Sequence, residues 1–138
     1  MLSAMKIVSP GCLALLASLY MGCAAPAAAP ISSIPLSLPA ATQSGPDLEV
    51  KVVLDAPHLK IVSITLRRGT ALPEHTAPVP VIIQAASGAG TAVLGDQRLP
   101  LDSAHAVSLA PDAPHAVEPE PGTDMTLLVF HLRGGGSR

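Results

Sequence analysis

Five histidines, His58, His75, His105, His115 and His131, are the residues best suited to chemistry in this chain of 138. Neutral imidazole is the commonest side-chain metal ligand, and it is costly to bury without a partner. All five lie between positions 58 and 131, dense enough to raise the question of a site. Other chemistries find little material. Both cysteines, Cys12 and Cys23, fall in the first 23 residues, which leaves the body without a thiol nucleophile, a zinc–cysteine cluster or a disulfide framework. The patterns G-x-S-x-G, G-x-G-x-x-G and G-x-x-x-x-G-K-[ST] are absent. Glu118 and Glu120 flank Pro119 and read as solvated rather than as an acid/base pair. Nucleic acid is excluded as a partner: the net charge is −2, and Tyr20 and Phe130 are the sole aromatic residues, so neither a basic footprint nor a stacking platform exists.

The elements that must hold these imidazoles read as short strands. Fifteen Pro and eleven Gly punctuate the chain too often for long helices. Residues 47–55 (DLEVKVVLD) alternate Leu48, Val50, Val52 and Leu54 against Asp47, Glu49 and Lys51, the period of a strand with one wet face. Residues 58–67 follow after Pro57, with Val62, Ile64 and Leu66 on one side and Ser63, Thr65 and Arg67 on the other. Further strands are predicted over 79–86, 91–94, 98–101, 106–109, 115–117 and 125–132, with Gly95-Asp96 turning a hairpin. Such spacing predicts a sandwich or small barrel, of which the jelly roll is one solution to bare sheet edges.

Ahead of the strands stands an address. Lys6 precedes an apolar run from about Gly11 to Gly22, and no acidic residue occurs before Asp47. This is the pattern of a secretory signal, too short for a permanent membrane span of ~20 residues. Two exits are open. Met21-Gly22-Cys23 resembles the end of a bacterial lipobox, with Cys23 as the lipidated residue and Tyr20 departing from the motif; Ala24-Ala25 and 27–29 offer ordinary cleavage instead. Residues 24–46, with Pro26, Pro30, Pro35, Pro39 and Pro46, form a Pro/Ala-rich linker. The expected organisation is a signal over 1–23, the linker over 24–46, a folded unit over 47–133 and a disordered tail over 134–138. Export to the periplasm or anchorage as an envelope lipoprotein follows, the membrane being met only through that anchor.

Gly69-Thr70-Ala71-Leu72-Pro73-Glu74-His75 resembles the opening of the first cupin motif, a Gly, five residues and a His, with Gly88 near its end. Ala110-Pro111-Asp112-Ala113-Pro114-His115 is similar to the second, a Pro-bearing turn that delivers a His to a strand. The resemblance spans about 61–132 and implies an all-β, cupin-like double-stranded β-helix, a jelly-roll barrel of the single-domain Cupin_2 kind. Cupins hold a divalent metal with two His and a Glu from the first motif and a His from the second. The likeness carries that role to His75 and His115 alone. Ala77 stands where the second His belongs, and Val81, or Ile82 in the alternative register, where the Glu belongs. A weakly held Zn, Cu, Ni or Fe is the cofactor this incomplete set implies, since catalytic sites normally carry three protein ligands and an open position.

Gln84, His105, His131 and Glu74 are the available helpers. Period 2 sends Gln84 to the face opposite Val81, turns Glu74 away from its neighbour His75, and puts His131 on the face of Val129 and Leu127, inside the fold or at a dimer contact. His105 stands where cupins usually carry an Asp before a strand, so the resemblance implies a turn surface for it. His58, after Pro57, is expected in solvent, and Arg67-Arg68 at a solvated strand end. The function these readings favour is an exported cupin module binding a small molecule or, weakly, a metal. A metal-dependent cupin enzyme (oxygenase, isomerase or lyase) and a non-catalytic envelope interaction protein are the alternatives. A homodimer is expected, because exposed apolar strands need covering.

Overall fold

A computed structural model describes residues 33–39 and 44–134. The segments expected to be a signal, with Cys23 as its candidate lipidated residue, most of the expected linker, and the tail beyond Gly134 lie outside the described residues.

Nine strands, and no helix, make up the described chain: β1 (Leu48–Asp55), β2 (Leu59–Leu66), β3 (Leu72–His75), β4 (Val81–Ser87), β5 (Gly90–Leu94), β6 (Gln97–Leu101), β7 (Ala106–Leu109), β8 (His115–Pro119) and β9 (Met125–Leu132). Eight of them overlap the predicted runs. The addition is β3, whose four residues and Pro73 give it no alternating signature of its own. The strands form two antiparallel sheets, one in the order β1-β2-β9-β4-β7 and the other β3-β8-β5-β6.

Inward-facing residues of both sheets make one core. Val62, Ile64 and Leu66 of β2, Val81, Ile83 and Ala85 of β4, and Leu127 and Val129 of β9 meet Leu72, Ala92, Leu101 and Val117 of the second sheet. The period-2 pattern of β4, buried at every second residue from Val81 to Ala85, is the direct cause. Ala77 belongs to the same core.

Two features depart from the alternation. First, β2 is buried on both faces: Ile61, Ser63 and Thr65 are as enclosed as Val62 and Ile64. Arg67, expected in solvent, is 1% exposed. Its guanidinium donates to the Pro46 carbonyl at 2.6 Å and to Glu49 Oε2 at 2.7 Å, so the charge enters the fold already paired. Arg68 does stay at the surface, bound to Asp47. Second, β1 lies at the edge of the larger sheet, and Val50 and Val52 remain 54% and 56% exposed. Gly88 closes the turn between β4 and β5 at φ 74°, against Asp124, where a side chain would overlap the Asp124 carbonyl.

Candidate functional site

His115 opens β8 directly after Pro114, and its ring is buried at 2% exposure. His75 ends β3 opposite it in register. A register shift lies between Leu72 and His75. Those two residues are an odd number of positions apart, so a regular strand would send them to opposite faces. The irregularity lets Leu72 enter the core while His75 meets His115, a common use of a bulge beside a site. The ring centroids of the two histidines are 4.3 Å apart, inclined at 53°. Residues forty positions apart in sequence are thus brought into contact.

Each ring is held the same way. His75 Nδ1 donates to the Pro73 carbonyl at 2.9 Å, and His115 Nδ1 donates to the Ala113 carbonyl at 2.9 Å. A carbonyl oxygen only accepts, so both protons sit on Nδ1 and both Nε2 atoms carry lone pairs in the neutral rings. Burial holds the His115 pKa below the ordinary histidine value, and the nearby His75 lowers it further, while the bond to Ala113 offsets part of the effect. Neutral imidazole is therefore the resting form of His115 at pH 7. His75 is exposed and His115 enclosed, so the pair runs from solvent into the core.

A third imidazole faces the same interior. On β9, His131 shares its parity with Leu127 and Val129 and pairs with Lys60 of β2 and Val81 of β4. Its Nδ1 is enclosed and makes no hydrogen bond of ordinary geometry. Burial lowers its pKa first, followed by the Lys60 ammonium; a polar contact with the Lys60 backbone offsets part of this, and Arg133 and His115 add smaller depressions. Strand parity had placed His131 with Leu127 and Val129; the nearness of His115 required the packed barrel.

The remaining sequence candidates stand apart. His58 is exposed. His105 is exposed, its Nδ1 donating to Asp102 Oδ1 at 2.8 Å within a turn that the same carboxylate caps by accepting from the Ala104 and His105 amides. Gln84 points away from Val81 and donates to the Ser103 carbonyl at 3.1 Å. Glu74 is exposed. Register also resolves which residue stands in the carboxylate position on the inner face: Val81 is 1% exposed and in the core, whereas Ile82 lies on the other face.

These residues do not fit a resident metal of the full cupin type. Among the described residues no three His, Cys, Asp or Glu side chains gather closely enough to hold an ion. Ala77 and Val81 are hydrophobic core, leaving two Nε2 lone pairs as the donor set. What the pair can do chemically is accept hydrogen bonds from a polar guest or grip a cation weakly. A separate cleft of about 270 Å³, on the solvent side of β5, β6 and β8, contains no imidazole, and its Arg98 and Glu118 are bound to each other.

No family model matches the sequence, and no curated protein matches it either. Solved structures do match the fold. An RmlC-like cupin protein from Desulfovibrio desulfuricans aligns over 74% of this chain and 97% of its own, at 26% identity and a TM-score of 0.62. An RmlC-like cupin family protein with a double-stranded β-helix fold, from Methanocaldococcus jannaschii, aligns over 75% and 92%, at 17% identity and a TM-score of 0.62. The Cupin_2 domain of an XRE family transcriptional regulator from Enterobacter cloacae aligns over 65% and 100%, at 20% identity and a TM-score of 0.57.

Proposed function

We propose that this chain, a single-domain cupin with a double-stranded β-helix fold, is an exported, non-catalytic binding module of the cell envelope that accepts a small polar molecule beside His75 and His115. One observation carries the reading: two adjacent imidazoles have both Nδ1 protons tied to backbone carbonyls, so both Nε2 atoms are free to accept from a guest. A guest bearing hydroxyl or amine hydrogens suits those lone pairs. Metal is held weakly and below one per chain, because two imidazoles without a carboxylate are a poor cage. The enzyme reading, an oxygenase, isomerase or lyase, needs a further donor, and the core residues Ala77 and Val81 count against it.

The test is a titration with polyols and amino sugars, following the histidine Cε1–H resonances of the protein. Saturable shifts at His75 and His115 that vanish in His115→Phe are expected. Elemental analysis after loading with zinc or nickel should find well under one ion per chain. A stoichiometric ion lost in His75→Ala would overturn the binding reading in favour of the enzyme. Export, with either lipidation at Cys23 or cleavage near 24–29, is read from the mass of the mature N-terminus; an unprocessed Met1 would refute it.

A further inference from the structure

We propose that β1 pairs with β1 of a second copy of this chain, in one register centred on Val50, to join two five-stranded sheets into one. The inference is independent of what the histidine pair binds.

The backbone comes first. Arg67 N–H donates to the Asp47 carbonyl at 2.7 Å, and the β1–β2 register runs Leu48 opposite Leu66, Glu49 opposite Thr65 and Val50 opposite Ile64. In an antiparallel ladder hydrogen-bonded and non-bonded pairs alternate. With Asp47 bonded toward β2, Glu49 and Lys51 also spend their amides and carbonyls on β2. Leu48, Val50 and Val52 therefore aim theirs at the free edge. β1 is terminal in its sheet among the described residues, so those groups have no strand opposite them.

The side chains point the same way. Leu48, Val50 and Val52 pair with the core residues Leu66, Ile64 and Val62, so they continue the apolar inner face of the larger sheet. Yet they are 36%, 54% and 56% exposed. The smaller sheet ends before reaching them. Their regular pairing stops at a register shift between Val52 and Leu54. Leu48–Val52 is then a regular stretch symmetric about Val50.

Charge selects the register. A two-fold axis at Val50 sets Val50 against the partner's Val50, Leu48 against the partner's Val52, and Glu49 against the partner's Lys51, the last twice by symmetry. Shifting the axis to Glu49 or Lys51 would oppose like charges, and shifting it to Leu48 would oppose Glu49 to the partner's Asp47. Opposite charges across an antiparallel pair stabilise and like charges destabilise. Within one chain Lys51 Nζ already lies 2.7 Å from Glu49 Oε1, so both side chains occupy the face the cross-pair requires. About six backbone hydrogen bonds would form, two from each facing pair of outward residues, in the manner of strand addition at a sheet edge.

Sedimentation of the full chain over a concentration series tests this, together with oxidative cross-linking. A reversible dimer of the 13.9 kDa chain is expected. Lys51→Glu, an exposed substitution, should raise the dimer dissociation constant about tenfold or more, because both cross-pairs become repulsive. Val50→Cys should cross-link to itself, since facing Cα atoms in a hydrogen-bonded pair lie ~5.5 Å apart, within disulfide reach. Val52→Cys should not, its symmetry mate being about 14 Å away along the strands. Peptide mapping separates these bridges from any at Cys12 or Cys23. A monomer at every concentration overturns the proposal, as does a dimer indifferent to Lys51→Glu or one that links at position 52 as readily as at 50.

Discussion

Restoring the two absent cupin ligands, Ala77→His with Val81→Glu, should turn a weak two-imidazole site into a metal centre at a visible cost in stability. Val81 is 1% exposed within the core. Removing its side chain from that environment forfeits about 1.5–3 kcal/mol of apolar burial, and an enclosed carboxyl without a partner adds about 1–3 kcal/mol. The metal-free variant should therefore lose about 2.5–6 kcal/mol. For a folded unit of this size each kcal/mol moves the melting temperature by roughly 4–8 °C, a fall of roughly 10–50 °C. A metal that binds the folded state alone returns ~2.7 kcal/mol at a hundredfold excess over its dissociation constant, or roughly 10–20 °C. Circular dichroism melts with chelator, and then with manganese, nickel or zinc, read both numbers. Elemental analysis should give about one ion per chain in the variant, and further substitution of His115→Ala should abolish the rescue. If the native chain gains as much from metal as the variant, or the variant gains nothing, then Ala77 and Val81 are not what keeps the site from being a metal centre, and the reasoning fails.

Three further outcomes follow from the same structure. His115 and His131 have folded pKa values below their ordinary value of 6.5, so below pH 6.5 the unfolded chain takes up protons that the folded one refuses; stability is full above pH 6.5 and falls with pH down to the folded values. Melts between pH 8 and 5 should show that decline, and His131→Phe should make it shallower. Gly88→Ala, at φ 74° and against the Asp124 carbonyl, should cost more than the ~1–3 kcal/mol of left-handed strain alone, whereas Gly95→Ala, at φ 56° with open space around it, should cost only the strain; urea midpoints compare them. The Thr126 hydroxyl is enclosed without a partner, so Thr126→Val should raise stability by about 1 kcal/mol, seen as a higher melting temperature; a loss would mean that the hydroxyl is solvated or bonded in solution.

Period-2 alternation was enough to place most strands, because a residue's face in a strand follows from counting. It put Val62, Ile64 and Leu66 on one face of β2, sent Gln84 away from Val81, and grouped His131 with Leu127 and Val129. The cupin resemblance drew His75 and His115 together from the positions of two turns. β3 escaped, being short and interrupted by Pro73. So did the burial of Arg67, since nothing local announces that Pro46 and Glu49 wait to receive it.

What the tertiary structure alone decided has a common physical origin. Counting tells which residues share a face; it does not tell where a ladder skips or where the opposite sheet ends. The irregularity between Leu72 and His75 depends on pairing with β8, and it alone lets one residue enter the core and the other touch His115. Leu48, Val50 and Val52 carry the same pattern as the core residues they pair with, yet stand in solvent because the smaller sheet does not extend over β1. Sequence fixes the alternation through local geometry, and only the packing of two sheets converts it into a site and an uncovered edge.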